Sequence, residues 1–185
     1  LNRLSERGLL TRRREGHVEP GRPARRSRMR IVILAIGQRQ PAWVDAAVND
    51  YLNRFPADFR VELRELKAEP RTGRADEAER CRSAEGERLR TALPAGCTLV
   101  ALDEHGKDWT TRELADQLGR WRDAGEPLAF AIGGADGLDD SIKRAARLQL
   151  RLSSLTLPHA LARVLLAEQL YRGWSILARH PYHRA

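Results

Sequence analysis

Four short stretches carry residue types able to do chemistry. Ile132-Gly-Gly-Ala-Asp-Gly137 sets glycines and an acid directly after an apolar run. Glycines there let a backbone approach a ligand closely or adopt positive φ. The stretch is neither GxGxxG nor a Walker A loop, so a plain strand-to-helix turn competes with a ligand loop. Ser153-Ser-Leu-Thr-Leu-Pro158 alternates small hydroxyl residues with Leu. Such a loop can offer backbone amides and carbonyls to a flat, partly apolar ligand, or be a routine connection into a helix. It lacks the GxSxG setting of a hydrolase nucleophile. Arg179-His-Pro-Tyr-His-Arg184 packs two His, a Tyr and two Arg into six residues. These types bind phosphate, transfer protons or read a base edge, whereas a solvated chain end is the ordinary alternative. No third ligand stands at a familiar metal spacing. Glu168 and Arg172 form an i,i+4 pair, ordinarily a surface ion pair, here on an otherwise apolar helix.

The elements that must position these residues follow from periodicity. Arg30–Ile36 is a β-branched apolar run closed by Gly37, and reads as a buried strand. Pro41 opens a helix that runs to Phe55-Pro56. Phe59, Val61, Leu63 and Leu66 alternate as a second strand. A polar helix spans about Ala75 to Thr91. Cys97–Leu102 is the third strand, ending in Asp103-Glu-His-Gly106. Thr110 or Thr111 caps a helix through Leu114, Leu118 and Trp121. Pro127–Ile132 is the fourth strand. A short helix over Asp139–Arg147, a brief strand Gln149–Leu152 and a helix from about Ala160 to Ala178 complete the pattern. Strands alternating with helices predict an α/β fold with a parallel sheet. Ligands in such folds sit outside the carboxyl ends of the strands, which singles out Leu102, Gly133-Gly134 and the Ser153–Pro158 loop.

Charge narrows the function classes. The 185 residues carry a formal +8, but residues 1–28 hold nine Arg against three Glu, so residues 29–185 carry only +2. Thirty of the 33 basic residues are Arg, a skew that a GC-rich genome imposes by itself. The segment 1–28 has no sustained period, and its composition fits disorder. A phosphate-binding arm and a transit peptide are alternatives. The preferred expectation is a basic extension foreign to the native protein, because Met29 is the only Met and the first strand starts beside it. Residues 29–185 are then one domain. No apolar run reaches the roughly 18–20 residues that span a bilayer. Cys81 and Cys97 fit no ligand pattern and read as reduced thiols of a cytoplasmic protein. With only 5% aromatic residues, an extended base-stacking platform is disfavoured.

Taken together, the segments resemble the SPOUT-class RNA methyltransferases, specifically the RlmH family of large-subunit ribosomal RNA enzymes. The likeness covers residues 29–185. It rests on Met29–Gly37, Pro41-Ala-Trp43, Tyr51–Pro56, Leu102-Asp103, Ile132–Leu138, Leu155–His159, Arg163-Val-Leu165, Glu168–Ser175 and His180–Arg184. It implies a homodimer whose C-terminal segment threads a deep trefoil knot. S-adenosylmethionine would lie there against Leu102, Gly134, Ser153, Ser154, Leu155, Thr156, Leu157 and Pro158. The family commonly has Pro where this chain has Ala135.

The reaction the resemblance implies is methylation of N3 of a pseudouridine in the helix 69 stem-loop of 23S rRNA, on the assembled 70S ribosome. It needs no metal, no DNA and no membrane. Within it, His183 is the first candidate for proton transfer, Arg184 for stabilising charge and Tyr182 for positioning the base. Glu168 and Arg172 rank second. The competing readings are a SPOUT enzyme acting on tRNA or another rRNA site, and a non-catalytic ribosome-assembly factor. An ordinary Rossmann enzyme would need a phosphate loop after the first strand, which Gly37-Gln-Arg-Gln40 does not provide. A core near +2 also favours a shaped ribosomal surface over capture of naked RNA by counterion release.

Overall fold

Five β-branched or apolar runs become the strands of one parallel sheet. The structure is a computed structural model, which describes residues 28–73 and 77–184. The basic extension (all but Arg28) and the expected start of the second helix near Ala75 lie outside the described residues. In chain order the elements are β1 (Met29–Ile36), α1 (Ala42–Leu52), β2 (Phe59–Leu66), α2 (Glu77–Ala92), β3 (Thr98–Asp108) and α3 (Thr111–Asp123). They continue with β4 (Leu128–Ile132), α4 (Asp140–Ala145), β5 (Leu148–Arg151), α5 (His159–Leu177) and a final 3₁₀ turn, Pro181–Arg184. The strand order is β2-β1-β4-β3-β5, and every pairing is parallel.

The period-2 alternation of the strands divides the core. Ile31, Ile33, Val100, Phe130 and Leu150 face Leu114, Leu118 and Trp121 of α3 and Leu166 and Leu170 of α5. On the other face Val32, Leu34, Ala129 and Ala131 meet Leu89 of α2 and Ile142 of α4. Both faces are covered, which is why β1 and β4 read as continuous apolar runs. α1 packs through Val44 and Val48 onto Ala167 of α5. The cap of α3 is Thr110, whose hydroxyl accepts from the Glu113 amide while Glu113 accepts from the Thr110 amide.

The third strand departs from expectation. It does not end at Leu102: after a register shift between Leu102 and Lys107 it resumes, pairing Lys107 with Leu150 and Asp108 with Arg151 of β5. Gly106 makes this possible. A Cβ there would lie 2.6 Å from the Leu150 carbonyl carbon, so only glycine lets the two backbones come so close. Among the described residues, no helix is long and apolar enough to cross a membrane.

Candidate active site

The carboxyl ends of β4, β3 and β5 open on a cavity of about 760 Å³. Leu102, Gly134, Ser153, Leu155, Thr156, Leu157 and Pro158 line it; of the residues expected to hold a cofactor, only Ser154 does not. Three loops from separate parts of the chain therefore converge on one space, as the strand-end rule requires. Its walls are mixed, with Ile132, Leu138, Leu150 and Leu152 forming an apolar part. The Ser153 hydroxyl accepts from the Leu155 amide at 2.9 Å, which turns the loop after β5. Leu155 itself is 75% exposed.

Sequence reasoning missed the polar rim of this cavity. Asp103 and Lys143 line it, with Lys143 Nζ 3.4 Å from Asp103 Oδ2. Burial raises the Asp103 carboxyl pKa, but the His105 amide, Lys143 and the His105 side chain outweigh it, and the group lies below its ordinary value. The available signal was Asp103 directly following Leu102. Lys143 gave none, because α4 carries it to β3 from 40 residues away.

Of the two uses expected for the glycine pair, positive φ is not the one seen. Neither Gly133 nor Gly134 has positive φ; in this loop only Gly137 does, at 82°. A Cβ on Gly133 would overlap the Gly137 backbone, and one on Gly134 would lie 2.5 Å from Glu85 Oε2. Gly133 is thus demanded by the tightness of the turn itself, and Gly134 by Glu85 packed behind the loop.

A second cluster forms where α1, α5 and the final turn meet. Arg172 Nε donates to Glu168 Oε1 at 2.8 Å, and Tyr182 Oη donates to the same oxygen at 3.1 Å. Tyr182 Oη also lies 3.3 Å from Tyr51 Oη. The Tyr182 ring stands edge-on to Tyr171 at 4.8 Å, and the Arg172 guanidinium lies 5.0 Å from its centroid. Burial, then the Tyr51 hydrogen bond and the Glu168 charge, push the Tyr182 phenol well above its ordinary pKa. Far from being frayed, the tail is anchored. Arg179 takes φ of 54° and the His180 amide donates to Ser175 O at 2.8 Å, closing α5.

The structure thus brings Glu168, Arg172 and Tyr182 together. None of these, nor His183 or Arg184, lines the cavity of the same chain. His183 Nδ1 is buried without a hydrogen-bond partner among the described residues.

A family model described as "Predicted SPOUT methyltransferase" matches residues 29–183. The chain belongs to the SPOUT methyltransferase family. Relatives named "Ribosomal RNA large subunit methyltransferase H" from Burkholderia vietnamiensis and Bordetella petrii are each 52% identical over 157 residues, 85% of this chain and 100% of their own. A crystal structure of a probable methyltransferase from Bordetella pertussis Tohama I covers 80% of this chain and 94% of its own, with 20% identity and a TM-score of 0.47. The parallel five-stranded sheet between helical layers is the SPOUT methyltransferase fold in this chain.

Proposed function

We propose that this SPOUT methyltransferase uses S-adenosylmethionine to methylate large-subunit ribosomal RNA in the cytoplasm. The target we assign is N3 of a pseudouridine in helix 69 of 23S rRNA, on the assembled 70S ribosome. The observation that carries the reading is the strand-end cavity. Its volume of about 760 Å³ suits a nucleoside joined to an amino acid. Leu102, Leu155 and Leu157 would flank the flat base, and backbone groups of the Ser153–Pro158 loop would meet its edge. Asp103 and Lys143 offer opposite charges to the ammonium and carboxylate of the amino-acid end. The names of the relatives support the RNA substrate.

When bound, S-adenosylmethionine supplies a methyl group activated by a positive sulfonium. The chain must then align the acceptor nitrogen and manage its proton. N3–H of pseudouridine is an imide flanked by two carbonyls, so its loss leaves a delocalised anion. His183 is assigned to the proton and Arg184 to the anion. Tyr182, kept neutral by its surroundings, holds the base in position, while Glu168 and Arg172 hold Tyr182.

In one protomer these groups do not reach the cavity, so we assign them to the cavity of a second copy. Three observations support a homodimer of this kind. The tail cluster and the cavity are separate in one chain, Leu155 and Leu161 stand 75% and 40% exposed, and buried His183 Nδ1 has no hydrogen-bond partner among the described residues. The C-terminal trefoil knot belongs to the same proposal.

Incubating unmethylated 70S ribosomes with labelled S-adenosylmethionine, followed by nucleoside mass spectrometry, tests the substrate. Label on a 23S pseudouridine is expected. Label on free rRNA or tRNA, with none on 70S particles, would sink the assignment.

A further inference from the structure

The α2 helix presses two consecutive residues against the loop that walls the cavity. Glu85 is only 2% exposed, yet it is not a cavity residue. Its Oε1 accepts from the Glu69 amide at 3.0 Å. Its Oε2 has no hydrogen-bond partner among the described residues. That second oxygen lies against Gly134, where a Cβ would stand 2.5 Å from it. One residue on, a Cβ at Gly86 would lie 2.7 Å from Asp139 Cβ. The Glu85–Gly86 step therefore meets both ends of the loop. Between those ends the Gly137 amide donates to Gly134 O at 3.0 Å, which makes the loop a closed turn.

The same helix grips the connection after β2. Arg88 Nη1 donates to Lys67 O at 3.0 Å, and the Gly73 amide donates to Glu77 Oε2 at 2.7 Å. Arg71 of that connection in turn pairs with Asp136 of the cavity loop. A buried carboxylate with one oxygen used and one aimed at a ligand loop is costly as mere filler, because an unsatisfied buried acceptor costs stability.

We propose that Glu85 is a positioning residue for the cofactor loop: Oε1 fixes the 67–73 connection, and Oε2 sets Gly134 and takes a loop amide when the cofactor is bound. α2 thereby links the pocket wall to a connection that carries its own charges. The inference rests on the cofactor reading, and the two fail differently.

The test is Glu85→Gln in the full chain, with S-adenosylmethionine titrated calorimetrically and amide exchange followed with and without cofactor. An amide side chain keeps the shape but has one acceptor where the carboxylate has two, so one contact must be lost. The expected result is a Kd raised about tenfold, with faster exchange at Glu69 or, with cofactor bound, at Gly134–Gly137, and a melting temperature near wild type. Equal Kd and equal exchange in the variant would overturn the role of Glu85 while leaving the cofactor reading intact. No binding by wild type would overturn both. Should Glu85→Gln fail to fold, wild-type exchange decides: cofactor must slow the Glu69 amide together with the loop, and slowing of the loop alone would overturn the proposal.

Discussion

At the scale of single residues, Tyr182 shows how local packing sets a chemical property. Its phenol is partly buried and shares Glu168 Oε1 with Arg172, so ionising it would place a second negative charge beside a carboxylate. Its folded pKa is therefore raised above the unfolded value of about 10. The resulting stabilisation is fully present below that unfolded value and is lost as pH rises through the folded pKa. Thermal melts from pH 8 to 11 should show wild type falling more steeply above about pH 10 than Tyr182→Phe. Parallel curves would remove the proton from the account. Much of the cavity at this scale was legible, because small hydroxyl residues and glycines gather at predicted strand ends. Asp103–Lys143 and Glu85–Glu69 were not. Each pairing joins groups on different elements, and residue type alone carries no trace of it.

At the scale of elements, α5 must start where the Ser153–Pro158 loop leaves it, and Arg163 fixes that point. Its side chain is 1% exposed; Nη2 donates to Ile36 O at 2.7 Å and Gly37 O at 2.6 Å, and Nη1 pairs with Glu65 at 2.5 Å. One guanidinium thus ties the last helix to the carboxyl ends of β1 and β2. Arg163→Met should cost ~3 kcal/mol in urea denaturation at fixed protein concentration, since it leaves the buried Ile36 carbonyl, and the half-buried Gly37 carbonyl and Glu65 carboxylate, without this donor. Arg163→Lys should recover less than half, because an ammonium cannot reproduce the fork. A cost below ~1 kcal/mol for Arg163→Met would show that α5 is held by apolar packing alone.

The strands and helices themselves were legible to within a few residues, since β-branched runs and capping signals act locally. The extension of β3 was not. Asp103-Glu-His-Gly106 is polar and reads as a turn. Only the approach of β5, through the space that Gly106 leaves open, makes it strand again.

At the scale of the whole molecule, the chain carries two clusters that the proposed reaction needs together and that do not meet in one chain. The cavity has a charged rim and room for the proposed cofactor, whereas the tail holds the groups proposed to manage proton and charge. Leu155 and Leu161, exposed beside the cavity, are apolar surface that a second copy would cover. The proposed dimer makes a site from the cavity of one protomer and the tail of the other. The most direct test is complementation. Gly133→Val spoils the cavity, because a side chain there overlaps the Gly137 backbone. His183→Ala with Arg184→Ala spoils the tail, and each variant alone should be inactive on 70S ribosomes. Mixed and reassembled in equal amounts, half the dimers are heterodimers with one intact site in two, so about a quarter of wild-type methylation should return. Recovery to that level is the predicted result. No recovery in verified heterodimers would contradict a site shared between protomers.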